Sequence, residues 1–219
     1  MEGDVLIINN YHRKAARQVT AILLPEIEST EGKYFISVAG ESGAGKSEIA
    51  ASIAAELEKA GKATYVFAQD DYFVYPPRTN AEKRKEDIGW VGMQEVNLFL
   101  LDEEIAAIRA GETLIEKPLV IFQEDRITTE KADLSQYKVF IAEGTYTTAL
   151  KNLDARVFID RDIKDTKKAR AKRAREKQDE FLEQILTIEH RIISAQKKEA
   201  DIIINKGFDA IKQEDYEQD

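Results

Sequence analysis

"GESGAGKS", residues 40–47, sets three glycines, a lysine and a serine between the apolar run YFISVA (34–39) and an alanine-rich segment with helical spacing, 46–59. The octet fits G-x-x-x-x-G-K-[ST] in the strand–turn–helix setting that a phosphate loop requires. Its composition has a physical cause. Successive backbone N–H groups must converge on phosphate oxygens, and side chains at Gly40, Gly43 and Gly45 would obstruct the turn or the ligand. Glu41, Ser42, Ala44 and Glu48 complete the expected cradle, and the helix beginning near Lys46 adds its positive end. Lys46 is expected to neutralise the β- and γ-phosphates of ATP, and the Ser47 hydroxyl to enter the coordination of Mg2+.

Outward from the octet, four further β-rich runs follow: ATYVFA (63–68), KVFIA (138–142), ARVFI (155–159) and DIIIN (201–205). Each is nearly continuous in apolar residues, which suits strands buried on both faces of a parallel sheet. Helical segments with Ile49, Ile53 and Leu57, and with Leu100, Ile105 and Ile108, end at Gly61 and Gly111. The pattern predicts an α/β fold: a five-stranded parallel sheet flanked by helices, with ligands at the carboxyl ends of the strands. Residues 1–32 read as an N-terminal helical extension and 33–219 as one phosphate-loop domain. Within the extension, 11–28 should form a helix ending near Pro25 and packing on the domain flank, a homo-oligomer contact being the alternative. Residues 112–128 read as a substrate-side hairpin and 164–185 as a helical lid. The stretch 164–198 suits one long helix or two successive ones, and the tail IKQEDYEQD should fray.

Composition narrows the chemistry. The 219 residues carry 41 acidic and 32 basic side chains, a formal charge of −9, which disfavours nucleic acid or an anionic membrane as partner. There is no cysteine and there are two histidines, so zinc chemistry has few donors. The first residues resemble neither a secretory signal nor a transit peptide, and no apolar stretch approaches the roughly 20 residues that cross a bilayer. A cytoplasmic location is the expectation.

Three further features point to phosphoryl transfer. In "AQDDYFVYPPRTN" (68–80), two carboxylates stand at the end of a strand that should face the loop. Asp70 is the expected general base and a neighbour of the metal, while Asp71, its neighbour on an alternating strand, points elsewhere. In "VFIAEGTY" (139–146), Glu143 ends an apolar run in a Walker B arrangement and is the second expected metal ligand. From Lys164 to Lys177 eight basic residues stand against Asp165 and Glu176. Arg170 and Arg173 share a helix face and are expected to close over the transferred group. A guanine-reading N-K-x-D is absent, since Asn205-Lys206-Gly207-Phe208 lacks the aspartate, and so is an LSGGQ-like string. Arg78, Asn80, Arg84, Gln94, Glu124, Asp125 and Arg126 are candidates to line an acceptor pocket, the arginines hinting at an anionic acceptor.

In this order and spacing, the motifs resemble those of the uridine kinase and phosphoribulokinase family, from about Tyr34 to Gly207. The resemblance rests on "GESGAGKS", "AQDDYF", "VFIAEG", "VFIDRD" before the basic helix, and "LEQIL" followed by "KKEADIIINKG". It implies ATP with magnesium, Asp70 as general base, Ser47 and Glu143 near the metal, Arg170 and Arg173 in a lid, and Asn205 to Gly207 near the adenine. The chain departs from nucleoside-phosphorylating members in the hairpin, where Val120 and Asp125 stand for a tyrosine and a histidine. Valine neither stacks nor hydrogen-bonds as tyrosine does, which argues against uridine. A third lid arginine falls on Gln178 or Glu180. The expected function is an ATP-dependent kinase acting on a hydroxyl of a small metabolite, the alternative being a nucleotide-binding switch that phosphorylates nothing.

Overall fold

The run 34–39 is apolar throughout because the sheet it enters is covered on both faces. In β1 (Tyr34–Gly40) every residue is buried. Tyr34, Ile36 and Val38 face one core, Phe35 and Ala39 the other, as strand alternation requires. The computed structural model describes residues 6–173 and 179–216, without the side chains of 168, 169, 172 and 173.

Ahead of β1 stands α1 (Asn10–Ser29). After it come α2 (Lys46–Lys59), β2 (Thr64–Ala68), α3 (Pro77–Glu86) and α4 (Leu98–Arg109). A hairpin of β3 (Leu114–Ile121) and β4 (Arg126–Asp133) precedes β5 (Val139–Gly144) and β6 (Ala155–Ile159). The chain continues through α5 (Ile163–Arg173), α6 (Glu180–Gln196), β7 (Ile202–Ile204), β8 (Ala210–Lys212) and α7 (Gln213–Tyr216). The main sheet has the order β2-β5-β1-β6-β7-β8. Its first five strands are parallel and are the five expected from sequence, while β8 adds an antiparallel edge to β7.

Helices α1 and α2 cover one face, with Ala16, Val19 and Ile27 packed among Ile49, Ile53 and Leu57. The other face is closed by Leu101, Ile105 and Ile108 of α4 and Ile193 of α6. Each such fully buried aliphatic side chain contributes about 1.5–3 kcal/mol of transfer free energy. The described helices include none long and apolar enough to cross a membrane.

Three expectations are corrected. Helix α1 runs through Pro25 to Ser29. Proline removes one donor from the ladder, but Ile27 is fully buried in the core, and that burial carries the helix another turn. The hairpin extends to Asp133 rather than 128, its turn formed by residues 122–125 with Asp125 in the left-handed region at φ 51°. The tail is ordered as far as Tyr216, because the outer edge of β7 takes β8 as a partner and the Tyr216 hydroxyl donates to Asp160 Oδ2 at 2.6 Å. Of the two readings for 164–198, two helices form, α5 and α6.

At the carboxyl end of β5, a Cβ on Gly144 would lie 2.2 Å from Gln69 Cβ. Gly144→Ala is therefore expected to lower stability by about 3 kcal/mol in urea unfolding, the upper range of an overpacked interior. An unchanged midpoint would mean that residue 69 is not fixed against β5.

Candidate active site

The parallel register gathers the site. Glu143 of β5 pairs with Val38 of β1 on one side and Ala68 of β2 on the other. The strand ends therefore deliver the phosphate loop, Glu143 and the turn after β2 to the same edge of the sheet. Ser47 Oγ donates to Glu143 Oε1 at 3.0 Å. Burial, and then the nearby Asp70 charge, push the Glu143 carboxyl up to about 7, against the opposing pull of Lys46 and the Ser47 hydrogen bond. Two carboxylates and a hydroxyl thus converge beside one lysine, a hard-oxygen donor set suited to magnesium. No group of three or more acidic, histidine or cysteine side chains of metal-site geometry exists among the described residues.

Residues 69–72 form a single 3-10 turn, and its members are tied in different directions. Gln69 accepts from Tyr146 N at 2.7 Å. Asp71 accepts from Val120 N at 3.0 Å and faces buried Lys117 at 3.7 Å. The Tyr72 hydroxyl donates to Glu104, and burial pushes both the Tyr72 hydroxyl and the Glu104 carboxyl above their ordinary ranges. Asp70 is left as the member that lines the cavity, and Asp71 does point away from it.

That cavity, about 310 Å3, is lined by loop residues Ser42 and Gly43, by Asp70, and by Arg170 of α5. Gly43 sits at φ +77°, and a Cβ there would lie 2.9 Å from Arg170 Cγ. The glycine is what lets α5 lie directly on the loop. Arg170 is oriented by its own helix, donating from Nη1 to Thr166 Oγ1 and from Nη2 to Ile163 O at 2.9 Å. The Arg173 side chain and Gln178 lie outside the described residues, and Glu180 opens α6. Lys46 Nζ reaches Glu41 O at 3.1 Å, folding back over its own loop. The Glu41 carboxylate meets His190 Nδ1 of α6. Burial raises the Glu41 carboxyl above its usual range, and His190 draws it back in part. Glu48 is buried on the first turn of α2.

The acceptor candidates divide. Arg78, Asn80 and Arg84 line the cavity. Gln94 instead caps the carbonyls of Gly89 and Trp90, each at 2.8 Å. Asp125 accepts from the Arg78 and Thr79 backbone N–H groups at 2.6 and 3.1 Å, anchoring the start of α3 to the hairpin. Arg126 pairs with Glu124 at 2.9 Å on the surface. These four serve local structure, each satisfied by neighbours that loop polarity alone could not reveal. Arg84 is also corrected. It is bound by Glu95 and, at 3.0 Å, by Glu189 of α6, with Asn80 Nδ2 on Glu95 at 2.8 Å. One guanidinium facing two carboxylates is no site for an anion, so the hint of an anionic acceptor loses its main support. Sequence reading missed Glu189, Glu95 and His190; the only local signal was an acidic residue on the apolar face of α6.

Asn205 Oδ1 accepts from the N–H groups of Gly207 and Asp209, each at 2.9 Å. It shapes the turn that presents Phe208 at the end of β7, on the same edge of the sheet.

A sequence model of the Phosphoribulokinase / Uridine kinase family matches residues 35–211. Over 199 residues the chain is 26% identical to the bifunctional alpha-galactosidase/sucrose kinase AgaSK of Mediterraneibacter gnavus. That match covers 84% of this chain and 21% of the relative's length. Among solved structures, a protein provisionally described as a fructose transport system kinase from Silicibacter sp. TM1040 aligns with TM-score 0.65 at 18% identity, covering 83% of this chain and 94% of that one. Phosphoribulokinase from Rhodobacter spheroides aligns with TM-score 0.61 at 16% identity, over 80% and 71% of the two chains. These likenesses bear on the fold.

The cost of a buried carboxylate beside Asp70 has a measurable consequence. A carboxyl whose folded pKa is raised favours folding while protonated, and that contribution fades as pH rises toward about 7. At pH 8 without nucleotide or metal, Glu143→Gln should therefore melt a few degrees above the parent. At pH 5 the two should melt together. A lower melting point for the variant at pH 8 would show that the carboxylate stabilises the empty fold.

Proposed function

The chain belongs to the Phosphoribulokinase / Uridine kinase family, and from that premise we propose that it transfers the γ-phosphoryl group of ATP to a hydroxyl of a small uncharged polyol, a sugar being the favoured class. The observation that carries the proposal is Asp70 facing a cavity whose other wall is the phosphate loop itself. An acceptor in that cavity has its hydroxyl between the carboxylate and the loop, where a terminal phosphate is held.

Each residue then has a part. Asp70 accepts the proton as the acceptor oxygen bonds to the γ-phosphorus and the bond to the β–γ bridging oxygen breaks, releasing ADP. Lys46 and Arg170 offset the charge spread over the transferring oxygens. Ser47 and Glu143 would hold a magnesium ion, which neutralises β- and γ-phosphate charge when bound. Helix α5, lying on Gly43, covers the loop and restricts water as a competing acceptor.

The uncharged class is supported by the prior engagement of Arg84 and Arg78. Arg84 is matched by Glu95 and Glu189, and Arg78 spends Nη2 on the Gln123 carbonyl. Beside these arginines and Arg170, which is assigned to the transferring phosphoryl group, the cavity offers Asp70, Glu189 and the Asn80 side chain, groups suited to hydroxyls, with apolar Phe73, Leu182 and Leu186. Carboxylates would repel a phosphorylated sugar. The sucrose kinase name of the relative from Mediterraneibacter gnavus points the same way.

Two measurements test this. Asp70→Asn should lower kcat by about 10²- to 10⁴-fold while leaving the ATP Kd within about twofold; undiminished turnover removes Asp70 from its role. A panel of neutral sugars, polyols, sugar phosphates and nucleosides, read by ADP release, should favour the neutral sugars. A preference for sugar phosphates would overturn the charge argument, and acceptor-independent hydrolysis alone would favour a nucleotide switch.

A further inference from the structure

Glu41 is the single acidic side chain in the octet 40–47, and a carboxylate in a loop suited to phosphate opposes the charge of any polyphosphate that enters it. Its place there calls for a compensating group. The backbone of the same residue organises the loop: the Glu41 carbonyl accepts from Ala44 N at 3.0 Å and from Lys46 Nζ at 3.1 Å. Whatever fixes Glu41 therefore also fixes the lysine.

The Glu41 side chain turns to α6, where its carboxylate meets His190 Nδ1. An ionised carboxylate can only accept, so Nδ1 carries the hydrogen of this bond. Glu41 is buried, 6% exposed. Burial opposes its ionisation and His190 favours it; beyond the direct contact, Asp162 ahead of α5 opposes it and Arg170 of α5 favours it. Asp162 is itself engaged by Lys206 at 3.1 Å. The residue before His190 matters too. Glu189 lines the cavity with Leu182, Ile185 and Leu186 of the same helix, and it holds Arg84 at 3.0 Å. Adjacent residues of α6 thus fasten it to the phosphate loop and to the opposite wall. The His190 side chain is 40% exposed, so its replacement opens no hole in the core.

We propose that His190 is a positioning residue of the nucleotide site: by holding the Glu41 carboxylate against α6, it keeps that charge off the path of the phosphates and keeps Lys46 where the Glu41 carbonyl places it. The proposal rests on the reading of residues 40–47 as a nucleotide cradle and deepens it. His190 acts through Glu41 rather than by touching the ligand, so its effect depends on residue 41 being acidic. A hydrogen bond to an ionised group is among the stronger ones, and its loss leaves a buried charge poorly compensated.

Calorimetry on the whole chain with magnesium-ATP and with magnesium-tripolyphosphate, which has no base, tests this at the phosphates. His190→Ala should raise both Kd values about tenfold, and His190→Asn, whose amide N–H stands near the Nδ1 position, should recover most of the loss. In a Glu41→Gln background the same His190→Ala change should move either constant by less than about twofold, because the two residues act as one pair. A helix fastening without an electrostatic role would instead leave the double variant as weak as His190→Ala. That result would overturn the proposal, as would parent-like binding by His190→Ala. Loss of binding in Glu41→Gln alone would show that the ligand needs the carboxylate, and would overturn it as well. A parent protein that binds neither ligand would remove the cradle reading, and this inference with it.

Discussion

A carboxylate held in the interior between two parallel strands organises this molecule. Glu143 is flanked in register by Val38 and Ala68, bonded to Ser47, and raised in pKa by burial and by Asp70. Two acidic groups this close repel in a poorly screened setting. A fold selected for stability alone would not keep them together. On the proposed reading, their place beside the glycine-rich loop holds negative charge ready for a cation, and the surrounding packing must offset its cost.

That packing is directional. The turn at 69–72 is drawn toward β5 by Gln69, toward the hairpin by Asp71 and toward α4 by Tyr72. Three anchors on three elements leave Asp70 little freedom, the positional accuracy that the proposed proton transfer requires. On the opposite wall, the Arg84–Glu95–Glu189 group joins α3, the segment before α4, and α6. Removing one member of such a buried group leaves an uncompensated charge. The cluster therefore couples α6 to the wall of the cavity that Asp70 lines. His190, one residue on, brings the same helix to Glu41 of the phosphate loop.

The N-terminal helix is bound into the same core as α2 and the sheet, through Ala16, Val19, Leu23 and Ile27. Its first turn lays Tyr11 against Phe208, which follows β7, and Gln18 further along accepts from Ala210 N of β8. One element thus packs on the sheet along its length and, through Tyr11, His12 and Gln18, touches the segments at the carboxyl ends of the strands.

By itself, the sequence determined the parts whose physics is local. Bare glycines before a lysine, apolar runs without alternation, and acidic residues closing such runs were enough for the parallel sheet and for bringing the glycine-rich loop, Asp70 and Glu143 to one edge of it. Local rules also misled: Pro25 ends no helix, because Ile27 is buried beyond it, and residues 211–216 are ordered, because β7 takes β8 as an edge partner. Only tertiary structure decided the fate of the scattered charges. Arg78, Arg84, Gln94, Asp125 and Arg126 look alike as polar loop residues, yet Arg84 is matched by carboxylates 11 and 105 positions away, and Asp125 by a helix start 47 positions earlier. Charge in a folded protein is defined by what stands a few ångströms away, and for Arg84 and Asp125 the chain supplies that neighbour from far along its length.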